Sequence, residues 1–234
     1  FGESKNWHSI ATELASSFEV HLIDQRNHGN SFHHKEHNYI VLVEDLNHYI
    51  EEKSIANYSI IGHSMGGKVA MQFSLLYPNK LKKLIIVDIA PKQYKDNHVK
   101  IFQGLNRVLL KSTSRKEAQE ILMQYSDDIV TNNFLLKGLT FSKDNQPNFK
   151  FNITSIEENM PNMLDAVQTN TISNSMIYFL SGTKSDYIKR TDMQYIEQVF
   201  PNNQIINIKN AGHWIHFDQK EIFLKTIKII LMNN

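Results

Sequence analysis

The sequence predicts an α/β fold: a mostly parallel sheet with helices on both faces, interrupted by a helical insertion. Three observations predict it. Short apolar runs alternate with segments of helical period. The runs are continuously apolar, as strands covered on both faces are. The alternation stops from about residue 92 to 172 and then resumes. With 234 residues, 41% of them hydrophobic and 21% charged, the chain has the length and composition of one large domain or a domain carrying an insertion.

Each element has its own signal. Residues 8–17 set Ile10, Leu14 and Ala15 on one helical face, and Phe18 to Asp24 reads as a short apolar strand. The turn formers of 24–31 make a loop, and apolar residues at 40, 42, 43, 46 and 50 predict a helix. Residues 57–61 form the next strand, Met65 to Leu76 a helix ended by Tyr77-Pro78-Asn79, and Leu84 to Asp88 another strand. Helical patterns at 101–110, 115–125 and 127–139 fill the insertion, with one weak strand signal at 149–153. The rhythm resumes with a strand at 176–182, a helix near 191–200, a strand at 204–208 and a closing amphipathic helix from about Asp218 to Met232. The expected division is a core of 1–91 and 173–234 with a helical cap of 92–172.

Composition narrows the chemistry. Lys and Arg number 25 against 24 Asp and Glu, with no long block of one sign, so neither nucleic acid nor an anionic surface is an expected partner. Zero Cys removes disulfides, thiolate metal sites and a cysteine nucleophile, and suits a reducing, cytoplasmic setting. No apolar run approaches the ~20 residues of a membrane helix, so membrane insertion is not expected, and residues 1–17 lack a signal-peptide layout.

Gly62-His63-Ser64-Met65-Gly66 fits G-x-S-x-G and stands between a predicted strand and a predicted helix, the context that motif needs. A strained strand-to-helix turn requires small neighbours, which Gly62 and Gly66 are expected to supply. Ser64 is therefore the candidate nucleophile, and the Met65 amide at the helix start the candidate oxyanion donor. Residues 62–68 also match a phosphate-loop pattern, but Val69 stands where Mg²⁺ coordination needs Ser or Thr. A serine nucleophile needs a base, and His213, in the loop after the last strand, has the right order and context. Asp88 and Asp186 both follow strands and both preserve the order Ser, acid, His.

Two other clusters have plain readings. His28, His33, His34 and His37 match no standard ligand spacing and are expected in a solvated loop, with no metal. Arg107, Lys111 and Arg115, with Lys116 adjoining, could serve a phosphate-bearing substrate such as acyl-CoA, but are expected on a solvated helix face, unless Ser112-Thr113-Ser114 breaks the helix.

Four motifs in order, Asp24-Gln-Arg-Asn-His-Gly-Asn-Ser31, Gly62 to Lys68, Val87-Asp-Ile-Ala-Pro91 and Asn210-Ala-Gly-His-Trp-Ile-His216, resemble the α/β-hydrolase superfamily. Within it the chain resembles the YbfF-type bacterial esterases and the related mammalian abhydrolase-domain-11 esterases. The resemblance implies an α/β-hydrolase fold, no cofactor, and hydrolysis of a small-molecule ester or acyl thioester, including acyl-CoA. It maps the acid to Asp88, with Ser185 as a supporting hydroxyl. It also implies that the chain starts inside an oxyanion loop, with early strands and the second donor before Phe1. The competing readings are a carbon–carbon bond hydrolase or lyase on the same scaffold and a non-catalytic ligand-binding relative. A haloalkane dehalogenase is disfavoured, since it needs Asp where Ser64 stands. In the insertion Phe102, Leu105 and Leu109 are candidates for an acyl site or for plain core.

Overall fold

The computed structural model describes residues 1–78, 80–167, 172–173 and 175–233. Asn79 of the helix-ending triplet and part of the 168–172 end of the insertion lie outside the described residues. In chain order the elements are α1 (His8–Leu14), α2 (Tyr39–Glu52), β1 (Tyr58–His63), α3 (Met65–Leu76) and β2 (Leu81–Val87). Next come α4 (Val99–Lys111), α5 (Arg115–Met123), α6 (Ile129–Lys137), β3 (Leu139–Phe141), β4 (Pro147–Phe149), α7 (Ile153–Glu158) and α8 (Met160–Leu164). The chain closes with β5 (Ile177–Gly182), α9 (Met193–Val199), β6 (Asn203–Ile208), α10 (Ile215–Asp218) and α11 (Lys220–Met232). These elements group into two compact units: Phe1–Ser9 with His21–Asn38 and Lys95–Leu164, and Ile10–Val20 with Tyr39–Tyr94 and Asp165–Asn234.

The second unit holds a parallel sheet of order β1-β2-β5-β6. Leu84, Ile85, Ile86 and Val87 of β2 are all 0% exposed, as a strand paired on both edges and covered on both faces must be. α2 buries Leu42, Val43, Leu46 and Ile50 of the predicted stripe, with Tyr39 buried in place of the half-buried Ile40. α3 is buried on nearly every side from Gly67 to Leu75. The register pairs His63 with Val87, Val87 with Leu180, and Gly182 with Ile208. That alignment brings the carboxyl ends of all four strands to one edge, where open α/β sheets bind ligands.

Residues 18–24 are not a strand. An apolar run becomes one only when a neighbour supplies ladder bonds, and no described strand pairs with it.

In the first unit the chain changes direction at capped helix ends. Ser114 accepts the Glu117 amide, Asp128 those of Val130 and Thr131, and Asn152 that of Ser155. The Ser112-Thr113-Ser114 break separates α4 from α5. Arg115 is therefore not part of a free basic face: its guanidinium donates to the carbonyls of Leu136 (2.5 Å) and Leu139 (3.0 Å) around the end of α6. The weak strand signal at 149–153 is not a strand beyond Phe149: that residue ends β4, which pairs antiparallel with β3, and helix begins at Ile153. β3 is three residues long, too short for a period to register in sequence.

The segment 24–37 is only partly solvated. His33 and His34 are exposed, but His28 and His37 are buried, at 2% and 0%. Buried Asn27 organises the loop: its side chain accepts the His34 amide (2.8 Å), and its carbonyl accepts the Asn152 amide (2.9 Å). Gly29 has φ +58° and lies so close to Asp24 that a Cβ would stand 2.3 Å from its carboxyl carbon. Among the described residues no cluster of His, Asp or Glu could hold a metal ion.

Ile86→Ala should cost about 2–5 kcal/mol in urea unfolding, because the sheet on both sides prevents collapse around the cavity. Ile229→Ala, at a position 51% exposed, should cost well under about 1 kcal/mol. Equal costs would contradict this placement of the core.

Candidate active site

Ser64 joins β1 to α3 with φ 53° and ψ −120°, a region that a residue with a side chain occupies only under constraint. The constraint is visible. The Ser64 amide donates to Val87 O (3.1 Å), and its carbonyl accepts the amides of Gly67 (2.9 Å) and Lys68 (3.1 Å). A Cβ on Gly62 would stand 2.3 Å from Gly66 O, and one on Gly67 would stand 2.5 Å from the Ile89 side chain. Gly66 has nothing within 4 Å of that position. The steric requirement thus falls on Gly62 and Gly67 and not, as the motif suggests, on Gly66. Met65 is the first residue of α3, so its amide is among the helix-start donors without an intrahelical acceptor.

Lys68 does not serve a phosphate loop. It is 1% exposed, its ammonium donates to Asp165 O, and it lies 5.0 Å from the Tyr94 ring centroid. Burial lowers it to about 8, against the opposing pull of Asp165.

Asp88, one residue beyond β2, is 0% exposed and also has positive φ, 52°. A carboxylate so enclosed requires donors, and three converge on it. Oδ1 accepts the Gly182 amide (3.0 Å), and Oδ2 accepts both the Ser185 hydroxyl and His213 Nδ1–H (2.9 Å). Asp186 is elsewhere: its side chain is 94% exposed and pairs with Lys189 at 3.5 Å.

His213 reaches Asp88 because Gly182 lets the 211–213 loop approach the sheet. A Cβ on Gly182 would lie 2.4 Å from Gly212 O. The loop is held by Lys184 N–H to Ala211 O (2.8 Å) and by Gly212 N–H to the Asp218 carboxylate (2.8 Å). With Nδ1 donating to a carboxylate, the neutral ring presents Nε2 as a free lone pair, the form a general base needs.

Beside Ser64, His63 donates from Nε2 to the His213 carbonyl (2.8 Å), and the two ring centroids are 4.5 Å apart. A carbonyl can only accept, so His63 Nε2 carries the proton. Burial, then the neighbouring His213 and His216, hold His63 well below the ordinary histidine range.

Sequence reasoning passed over His63, Tyr94 and Tyr187. His63 was masked as the variable position of its motif, while the tyrosines lie three and two residues beyond Pro91 and Ser185, with no pattern to mark them.

Fold and comparisons together define a hydrolase of the α/β type. The profile of the alpha/beta hydrolase fold family matches residues 1–220, and the chain belongs to that family. Among curated proteins it is 34% identical to a Haemophilus influenzae protein described as an esterase/lipase, over all of this chain and 81% of the relative. It is also 34% identical to the sn-1-specific diacylglycerol lipase ABHD11 of Danio rerio, over 97% of this chain and 74% of the relative. Among solved structures, a marine microorganism esterase superposes with a TM-score of 0.92 at 39% identity, covering 97% of this chain and 90% of the other. Among the described residues no helix is long and apolar enough to cross a membrane.

Gly62→Ala should lower thermal stability severely or prevent folding, whereas Gly66→Ala should leave the melting temperature unchanged or raise it by a few degrees, alanine being the better helix former. A second outcome concerns pH. Below about pH 6.5 the unfolded chain protonates His63 while the folded chain does not, so stability falls as pH falls. His63→Gln should remove up to about 1 kcal/mol per pH unit of that slope in denaturant titrations between pH 6.5 and 5. An unchanged slope would contradict a neutral, enclosed His63.

Proposed function

We propose that this chain is a serine esterase that cleaves carboxylic esters through an acyl-enzyme. The observation that carries the reading is the pair of hydrogen bonds that Asp88 accepts from His213 and Ser185, beside a serine held at positive φ. Ser64 Oγ attacks the acyl carbon while its proton passes to His213 Nε2, leaving an imidazolium and a tetrahedral oxyanion. Asp88 orients the ring and stabilises that cation; Ser185 and the Gly182 amide hold Asp88. The Met65 amide, at the positive end of α3, receives the oxyanion. His213 then protonates the leaving alkoxide, and water activated by the same ring releases the acid.

Oxoesters are the first substrate class and acyl thioesters the second, since the same attack on the acyl carbon serves both. An acyl-CoA site on Arg107, Lys111 and Arg115 is not part of the proposal, because Arg115 is committed to the end of α6. The reading includes a core of 1–91 and 173–234 with 92–172 as an insertion. It also includes a cytoplasmic setting, which a chain without cysteine suits.

On a short-chain p-nitrophenyl ester, Ser64→Ala should lower kcat at least about 10⁴-fold and Asp88→Asn about 10³- to 10⁴-fold. Asp186→Asn should stay within about twofold of wild type. Wild-type turnover in Ser64→Ala would overturn the mechanism.

A further inference from the structure

Asp88 fixes one nitrogen of His213 but leaves the ring free to rotate about the axis through that bond. A second contact closes this freedom. The Tyr187 ring stacks on the His213 ring, with centroids 3.8 Å apart and planes within 17°. Tyr187 is itself pinned from both sides of its backbone. Its amide donates to the Ser185 hydroxyl (3.2 Å), and its carbonyl accepts the Tyr94 hydroxyl (2.7 Å). That hydroxyl in turn accepts the amide of Ala90, two residues beyond Asp88 (2.8 Å). One phenol therefore ties the turn carrying the acid to the turn carrying the stacking ring.

We propose that Tyr187 is a positioning residue for His213: its ring fixes the plane of the imidazole, its π-face favours the imidazolium formed when Ser64 gives up its proton, and Tyr94 sets its place. This deepens the esterase reading and rests on it for the role of His213. The physical basis is twofold. A small misorientation of a reacting group costs far more in turnover than in substrate binding. An aromatic face also attracts a cation lying over it, more strongly where water is excluded. Among the described residues, the other titratable groups facing His213 are Asp88, which favours the cation, and His63, which burial keeps neutral at the working pH and which has His216 behind it. Lys92 and Lys68 lie over the Tyr94 ring, one ring further from His213 than Tyr187. Both effects come from the Tyr187 ring and not from its hydroxyl, so the ring alone should suffice.

The test compares wild type, Tyr187→Leu, Tyr187→Phe and Tyr94→Phe by ester kinetics across pH and by NMR titration of the His213 ring. Tyr187→Leu should lower kcat about 10- to 100-fold with KM nearly unchanged. It should also lower the apparent His213 pKa by about half a unit. Tyr187→Phe should restore both quantities to near wild type. Tyr94→Phe, which removes only the tether, should lower kcat several-fold without unfolding the chain, and it carries the kinetic test if Tyr187→Leu does not fold. The proposal is overturned if Tyr187→Leu keeps wild-type kcat and His213 titration, or if Tyr94→Phe and a folded Tyr187→Leu are both indistinguishable from wild type. Because the NMR titration needs no turnover, it still decides the stacking claim if Ser64→Ala shows that the esterase reading is wrong.

Discussion

A carboxylate with no exposure to water must find its stabilisation in the protein, and around Asp88 that requirement organises the whole carboxyl edge of the sheet. Its donors come from the end of β5, from the turn at Ser185 and from the loop after β6, segments separated by about a hundred residues or more from Asp88 itself. Each donor is in place only if the strands stand in register, since a slip would carry Gly182 or His213 out of reach. The charge thus couples the correctness of the sheet to the geometry of the site. Losing one partner would leave a buried acceptor with an unfilled bond, a loss that outweighs the gain from making it.

Glycines set the distances at which this happens. Gly62 and Gly67 let the start of α3 close onto the end of β1, and Gly182 lets the 211–212 backbone come down on β5. The strained residues Ser64 and Asp88 are held by ordinary backbone bonds to Val87 and Leu180. Strain of this kind persists only where the surroundings over-determine it, and here two adjacent strands do so. The aromatic and histidine rings around His213 then fill the remaining space, so that the ring has one place to be.

Much of this was legible in the sequence. Helix α3 has the bounds that its apolar run and terminating Tyr77-Pro78 predict, and the strands at 57–61, 84–88, 176–182 and 204–208 lie within two or three residues of β1, β2, β5 and β6. Chain order and motif context pointed to Ser64 and His213, and left two carboxylates open. What separates Asp88 from Asp186 is the approach of Ala211–Gly212 to Gly182, a contact across thirty residues with no local signature. The same holds for Tyr187 and Tyr94, whose importance comes from ring and hydroxyl contacts made only in three dimensions. Local pattern also misled: 18–24 has a strand's composition without a strand's neighbour, and His28 and His37 sit in a polar segment yet are buried beside Asn27, whose carbonyl accepts the Asn152 amide. Period reports which face is apolar, not what stands opposite it.

An esterase of this geometry needs Ser64 as an activated nucleophile and not merely as a strained turn residue. A fluorophosphonate reagent followed by intact-mass measurement and peptide mapping tests this most directly, because it reports activation independently of any natural substrate. One stoichiometric adduct is expected on the peptide containing Ser64, with Ser64→Ala unlabelled and Asp88→Asn labelled far more slowly. A folded wild-type protein that takes up no label, or one labelled equally in Ser64→Ala, would contradict that role of Ser64.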